Sequence, residues 1–387
     1  MIQLASHASP ELFDAAFRFA GRQVRALIAR HPDFYPMYTV AGRWKHDGEL
    51  WTHWCDGFLP GMMWMFYQQT GDDYWYNNAM KYTRPLEPRK DDTGVHDLGF
   101  IFFSSYLRWM LIAEQKDPQL ANDLDSVVIQ AGITLSKRFQ EKGQYLCSFV
   151  EDASLFVDIM MNVGIIYYAS KKLRKRAAKR EAAELLRIAN AHCNTSLRTL
   201  LRGDGSTAHE ALFDTTTGEC LRQSTHQGYR GDSCWSRGLA WAMYGFCTAY
   251  NFTGNTDFIE ASEACARYFI RNTPDSGVPP WDYNAPEETA QLVDSSAAAI
   301  AASGFYDLSL VSPSFENRYL YRQYYRKIMG SLCTSQYLSR DGAHEGILKH
   351  GVYHIHKNLG VDESVMWGEY FFVEALTKAL SEEQRNG

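Results

Sequence analysis

Helical periodicity recurs along nearly the whole chain and strand alternation recurs nowhere, and this constrains the fold more than any other feature. Apolar residues at helical spacing mark helices at roughly 10–30, 56–70, 73–86, 97–115, 117–141, 154–170, 174–202, 234–252, 256–272, 290–309, 314–338 and 363–382. Two kinds alternate. One kind opens with a small cluster of polar and aromatic residues: WCDGF at Trp54, HDLGF at His96 and FVDIMMN at Phe156. The series continues with CWSRGLAW at Cys234, VDSSA at Val293 and MWGEYFF at Met366. The other kind, such as RKRAAKREAAELLRIA over Arg174–Ala189, reads as a solvated amphipathic cover. Six apolar helices alternating with six amphipathic ones imply an inner and an outer ring, an all-α (α/α)6 barrel. The starts of the inner helices would then crowd one mouth. Two turns, YQQTGDDYW at Tyr67–Trp75 and YNFTGNTDF at Tyr250–Phe258, form a weak internal repeat in which Thr-Gly ends one helix and an acid caps the next. No linker rich in Pro, Gly or Ser divides the chain, so residues 1–387 read as one domain.

Composition excludes some partners. A net charge of −6 argues against nucleic acid or an anionic membrane. The basic run KKLRKRAAKR at Lys171–Arg180 has no interleaved aromatics and reads as a solvated helix junction. The eight cysteines show no C-x-x-C pair and no zinc spacing, which fits free thiols in a reducing compartment. No charged n-region precedes an apolar run and no apolar stretch reaches about 18 residues, so the expected address is cytoplasmic, without a membrane span. Oligomeric state leaves no signal. The aromatic content of 14% suits both a packed core and a cleft for sugar rings.

Asp97 and Asp158 each interrupt a strongly apolar stretch near the start of a helix. A carboxylate there can simply cap the helix. Two acids converging in one pocket would instead split their pKa values, leaving one protonated and one ionised, which makes a general acid/base pair. Capping accounts less well for the flanking His96 and Asn162. Three further clusters carry chemistry-bearing side chains: STAHEALFDTTTGE with His209, STHQGYRGDSCWSRGLAW with His226, Gln227, Arg237 and Trp241, and KHGVYHIHKNLGVDESVMWGEYF with His350, His354, His356 and Lys357. Arg237 and Trp241 are four apart on one helical face, so a guanidinium could hold a carboxylate or hydroxyls while the indole stacks on a sugar; a purely structural Arg–Trp stack is the alternative. The histidines around His354 look like an irregular loop with no acidic partner at ligand spacing, so no metal is expected.

Taken together, HDLGF, the aspartate of FVDIMMN, THQGY with WSRGLAW, and HGVY…GVDESVMWGEYFFVEAL resemble the unsaturated glucuronyl hydrolases of glycoside hydrolase family 88, from about Trp51 to Leu380. The resemblance implies an (α/α)6 barrel acting on the unsaturated uronic acid that a polysaccharide lyase leaves at a non-reducing end. It implies hydration of a vinyl ether, with Asp158 protonating C4 and helping water add to C5, and with no metal or organic cofactor. Asp97 matches the second essential aspartate. His96, His209, Gln227, Arg237 and Trp241 match residues that contact the uronate, and Trp54 one that lines the pocket. If Asp158 is the general acid, its pKa should be raised, with burial and Asp97 outweighing the helix dipole. Three positions depart from the family. Phe149 stands where many members have Trp, and Val293 where others have Arg. His354, Lys357 and Leu359 replace the Ser-x-x-Ser-x-Lys of members that favour sulfated disaccharides, although His354 and Lys357 could still bind an anion. An unsaturated rhamnogalacturonyl hydrolase, a sugar epimerase on the same barrel and a non-catalytic glycan-binding barrel are the competing readings.

Overall fold

The computed structural model describes residues 9–46, 51–340, 342 and 344–386. The chain opens on outer helix α1 (Pro10–Arg30), started by Pro10 and capped by Ser9, whose side chain accepts from Leu12 N. Inner α2 (Phe58–Thr70) is followed by outer α3 (Asp73–Thr83), and inner α4 (Leu98–Ser104) and α5 (Tyr106–Ala113) by outer α6 (Pro118–Ser136). Inner α7 (Ile159–Asn162) and α8 (Gly164–Lys175) are followed by outer α9 (Lys179–Thr199), and inner α10 (Ser236–Thr253) by outer α11 (Thr256–Asn272). Inner α12 (Ser295–Val311) is followed by outer α13 (Phe315–Leu332), and α14 (Met366–Asn386) closes the inner ring against α2 and α12. This is an (α/α)6 barrel.

Burial separates the two rings as the sequence pattern demands. The inner α12, SSAAAIAASGFYDLSLV, is buried on nearly every side, and its Ala, Ser and Gly let neighbours approach closely. The outer α9 buries only a stripe, Ala182, Leu185, Ile188, Ala189, His192, Cys193, Thr195 and Ser196, at helical spacing. Among the described residues no helix is long and apolar enough to cross a membrane. The repeated turns are real: Gly71 and Gly254 both end their helices at φ near +70°, which favours glycine. The caps differ. Asp72 caps α3 as expected, but Asn255, not an acid, caps α11.

The helix expected over 97–115 breaks at Ser105, whose hydroxyl bonds back to Ile101 O. The helices expected over 117–141 and 314–338 end early, at Ser136 and Leu332. Strands also appear where none was expected. The antiparallel pairs β1 (Thr39–Val40) with β2 (Arg43–Trp44) and β3 (Phe139–Gln140) with β4 (Tyr145–Leu146) are two residues long on each side. The helix expected over 154–170 begins instead as β5 (Ser154–Phe156), edge of a sheet with β6 (Glu210–Phe213) and β7 (Cys220–Ser224). The stretch around His354, expected to be irregular, forms β8 (Gly351–His354) paired with β9 (Leu359–Glu363). Strands this short give no readable period of two.

Candidate active site

Asp97 directly precedes α4 and Asp158 directly precedes α7, but neither side chain bonds to the free N–H groups of its helix. Capping therefore does not account for either acid. Asn162 ties the two helix starts together: its Oδ1 accepts from Phe100 N at 2.8 Å and its amide donates to Asp158 O at 3.2 Å. A Cβ at Gly99 would stand 2.5 Å from Asn162 Cα, so glycine is what lets α4 and α7 meet there.

An imidazole backs each carboxylate. His209 Nδ1 accepts from the backbone N–H of His226 at 3.1 Å and of Gln227 at 3.3 Å. Its proton must then sit on Nε2, which lies 3.5 Å from Asp158 Oδ2. His96 Nδ1 likewise accepts from Phe149 N at 3.0 Å, turning Nε2 toward Asp97 Oδ1 at 3.4 Å. Burial pushes His96 down to about 3, so near neutral pH it is an uncharged donor. Burial, and then the Asp158 charge, push Asp97 well above the ordinary carboxylate range. Burial pushes Asp158 up too, but the interaction with the Nε2–H of His209 and the charge of Arg237 act against it, and on balance Asp158 is lowered. The pair is split as two converging acids require, with the roles reversed: the raised acid is Asp97, not Asp158. Burial raises Asp158, as expected, but His209, far along the chain, reaches it only in the folded protein.

The two acids share a cavity of about 260 Å³ with Trp54, Phe149, Phe156 and Tyr353 on its walls. Trp54 is only partly buried; it packs on Trp367 at 4.9 Å and on Phe100 at 5.4 Å, leaving ring surface available to a sugar. Gln227, Arg237, His354 and Lys357 also line the cavity. All six clusters that open the inner helices thus meet at this end. His350, which the sequence grouped with His354 and His356, bonds to Asp362 at 2.6 Å, while His356 bonds to Gly228 O. Among the described residues no group of three or more His, Cys, Asp or Glu could hold a metal ion.

Four expectations are corrected here. Trp241 is 1% exposed, packed between Phe100 and Phe371, and does not line the cavity, so it cannot stack on a sugar. The arginine–indole stack does exist, but Arg237 makes it with Trp235 at 4.3 Å and Trp367 at 5.0 Å. Arg237 also spends its donors on the protein: Asp294 at 3.1 Å, Gln227 Oε1 at 2.5 Å, Tyr353 O at 2.8 Å, and Val352 O. It is a buried hub tying α10 to α12 and β8. His209 lies behind Asp158 rather than on the cavity wall. His354 is 4% exposed and held down to about 4 by burial and by His356 and Lys357, so it brings no positive charge near neutral pH.

Phe156, His226, Tyr353 and Val150 line the cavity although the sequence did not single them out for it. The first three sit inside motifs already noted, FVDIMMN, THQGY and HGVY, but a motif does not say which of its members faces inward. Val150 carried no signal.

Known proteins resemble this chain over most of its length. Residues 30–278 match the model for Glycosyl Hydrolase Family 88. An unsaturated glucuronyl hydrolase from Bacillus sp. (strain GL1) is 30% identical over 84% of this chain and 86% of its own. An unsaturated chondroitin disaccharide hydrolase from Streptococcus pyogenes serotype M1 is 29% identical over 84% of this chain and 81% of its own. The crystal structure of an unsaturated glucuronyl hydrolase from Streptococcus agalactiae superposes with a TM-score of 0.85 at 26% identity, covering 98% of this chain and 94% of that one. Family match, relatives and barrel coincide, and the chain belongs to glycosyl hydrolase family 88, a family of glycoside hydrolases.

Proposed function

We propose that the protein removes the 4,5-unsaturated uronic acid from the non-reducing end of lyase-generated oligosaccharides. The observation that carries this reading is a split acid pair, Asp97 up and Asp158 down, inside one aromatic-walled cavity. The uronyl ring stacks on Trp54. Asp158, the more open acid with its side chain 14% exposed, faces the double bond. A proton passes from its carboxyl to C4 as the double-bond electrons form the new C–H bond, and the cation at C5 is stabilised by the ring oxygen. Water then adds to C5 and returns its proton to Asp158. The resulting hemiketal opens, C5 becomes a ketone, and the freed hemiacetal at C1 releases the sugar.

Asp158 must be protonated to begin. The substrate's own carboxylate supplies the missing push, because a second negative charge in a small, dry cavity raises the pKa of an adjacent acid. His209 then holds the carboxylate left after proton transfer, and protonated Asp97 donates one hydrogen bond near the double bond. His96, Gln227 and Phe149 shape the rest of the uronate pocket, with Lys357 at its rim.

The names of the relatives favour the glucuronyl reading over the rhamnogalacturonyl one, and the pairing of acids favours hydration over an epimerase's proton shuttling between histidines. The eight thiols, none in a disulfide, support a reducing, cytoplasmic setting. Incubation with an unsaturated uronyl disaccharide tests the proposal. The ultraviolet absorbance of the conjugated double bond should disappear; persistence of that signal across a panel differing in neighbouring sugar would reject it.

A further inference from the structure

The loop that carries Gln227 brings a titratable side chain to the cavity that the reaction above does not use. His226 lines the wall with its side chain 45% exposed, and its Nε2 lies 3.4 Å from Oε1 of Glu210. Glu210, on β6, is 1% exposed. The same oxygen accepts from Ser154 Oγ at 2.6 Å, and Ser154 Oγ in turn accepts from Ser148 Oγ at 2.9 Å. A carboxylate buried this deeply needs a cation as well as hydroxyls. Among the described residues its ion-pair partner is His226.

Building on the uronyl hydrolase reading, we propose that Glu210 is a positioning residue that keeps His226 charged on the cavity wall, and that His226 binds an acidic group of the substrate. That group is either the uronate's own carboxylate or an acidic substituent on the next sugar. The electrostatic surroundings support this. The hydrogen bond to Glu210 is the largest influence on His226 and raises it above the ordinary imidazole range, with the charges of Glu210 and Glu151 adding to it. Burial and Lys357 oppose the rise and are outweighed. The groups facing His226 are Glu210 on β6, Glu151 in the loop before β5, Lys357 in the turn after β8 and, across a ring distance of 6.3 Å, His209. Phe156, at 5.3 Å, is uncharged. With His354 neutral, the charge of His226 adds to the positive side chains lining the cavity in mildly acid solution and is lost at higher pH.

The test uses Asp158→Asn protein, which holds substrate without consuming it, and calorimetric titration with an unsulfated and a 6-sulfated unsaturated disaccharide between about pH 5.5 and about pH 8.5. Affinity should weaken roughly threefold to fivefold as pH rises through the His226 titration, the scale of one solvent-accessible charge pair. Adding His226→Gln should flatten that dependence at the weak level. Adding Glu210→Gln should move it to lower pH, and if that protein does not fold, His226→Gln decides alone. Weakening with both disaccharides assigns the uronate carboxylate; weakening with the sulfated sugar alone assigns the neighbour. An unchanged pH dependence in the His226→Gln protein, or none with either sugar, overturns the proposal. The hydrolase reading fails separately, through a parent enzyme that leaves the double bond intact.

Discussion

Two buried carboxylates in this barrel, Asp97 at the mouth and Glu374 about two helical turns down α14, are treated in opposite ways. Around Glu374 stand Arg108 at 2.8 Å, the Tyr244 hydroxyl at 3.0 Å and Lys378 at 3.7 Å, and Lys378 also bridges to Asp307 at 2.8 Å. Burial would raise Glu374, but Lys378 and Arg108 outweigh it and leave it ionised. Asp97 is also buried, yet among the described residues the basic group within ion-pairing distance of it is His96 at 3.4 Å, itself held neutral. Its pKa therefore rises. Burial alone does not tell a structural acid from a functional one. What distinguishes them is whether opposite charge and hydrogen bonds compensate the burial, and at the mouth the protein leaves that compensation incomplete.

The comparison is tested most severely by Asp158→Asn. Shape is conserved and the proton donor is lost. General acids contribute about 10²–10⁴-fold, and this group also serves the water step, so turnover should fall by the upper figure or more with an unchanged melting temperature. Asp97→Asn should be severely impaired in the same way, whereas normal kinetics would return Asp97 to a structural role. Glu374→Ala should show the converse. It strands Arg108 and Lys378, which should cost about 3–5 kcal/mol in a denaturant titration, while activity per folded molecule stays close to that of the parent. A stable but inactive Glu374→Ala protein would erase the distinction between the two regions.

Arg237→Ala lies between these cases. Because the guanidinium is an internal hub, the variant should melt early through the stranded Asp294, and KM should rise as Gln227 and the β8 backbone lose their anchor. A raised KM without any loss of stability would restore direct substrate contact as its main role. The mildest test is pH. Asp158 must carry a proton to act, and the protein's own field lowers its pKa, so kcat/KM should fall about tenfold per unit as pH rises above the acid range. A profile that instead rose toward alkaline pH would indicate that Asp158 works as a base in the first step.

The local pattern of this sequence determined the barrel. Whether a helix is apolar all round, like 290–309, or striped, like 174–202, follows from side chains a few positions apart, so ring membership was legible without a structure. The polar clusters opening the inner helices were legible for the same reason: a carboxylate or guanidinium is conspicuous against an apolar run. Tertiary structure alone decided what those groups do. Arg237 stacks on Trp235, which caps its own helix, and on Trp367 from α14 instead of on Trp241, because the cap residue and a neighbouring helix, rather than its own helical face, supply the partners. Asp97 and Asp158 are shifted in the reverse of the expected order because His209, immediately before β6 and far along the chain, is folded against Asp158. Glu210 meets His226 through that same short sheet, whose strands are too brief to show a period. Helix burial is written in near neighbours, whereas a pKa depends on every charge and dipole that folding brings within a few ångströms.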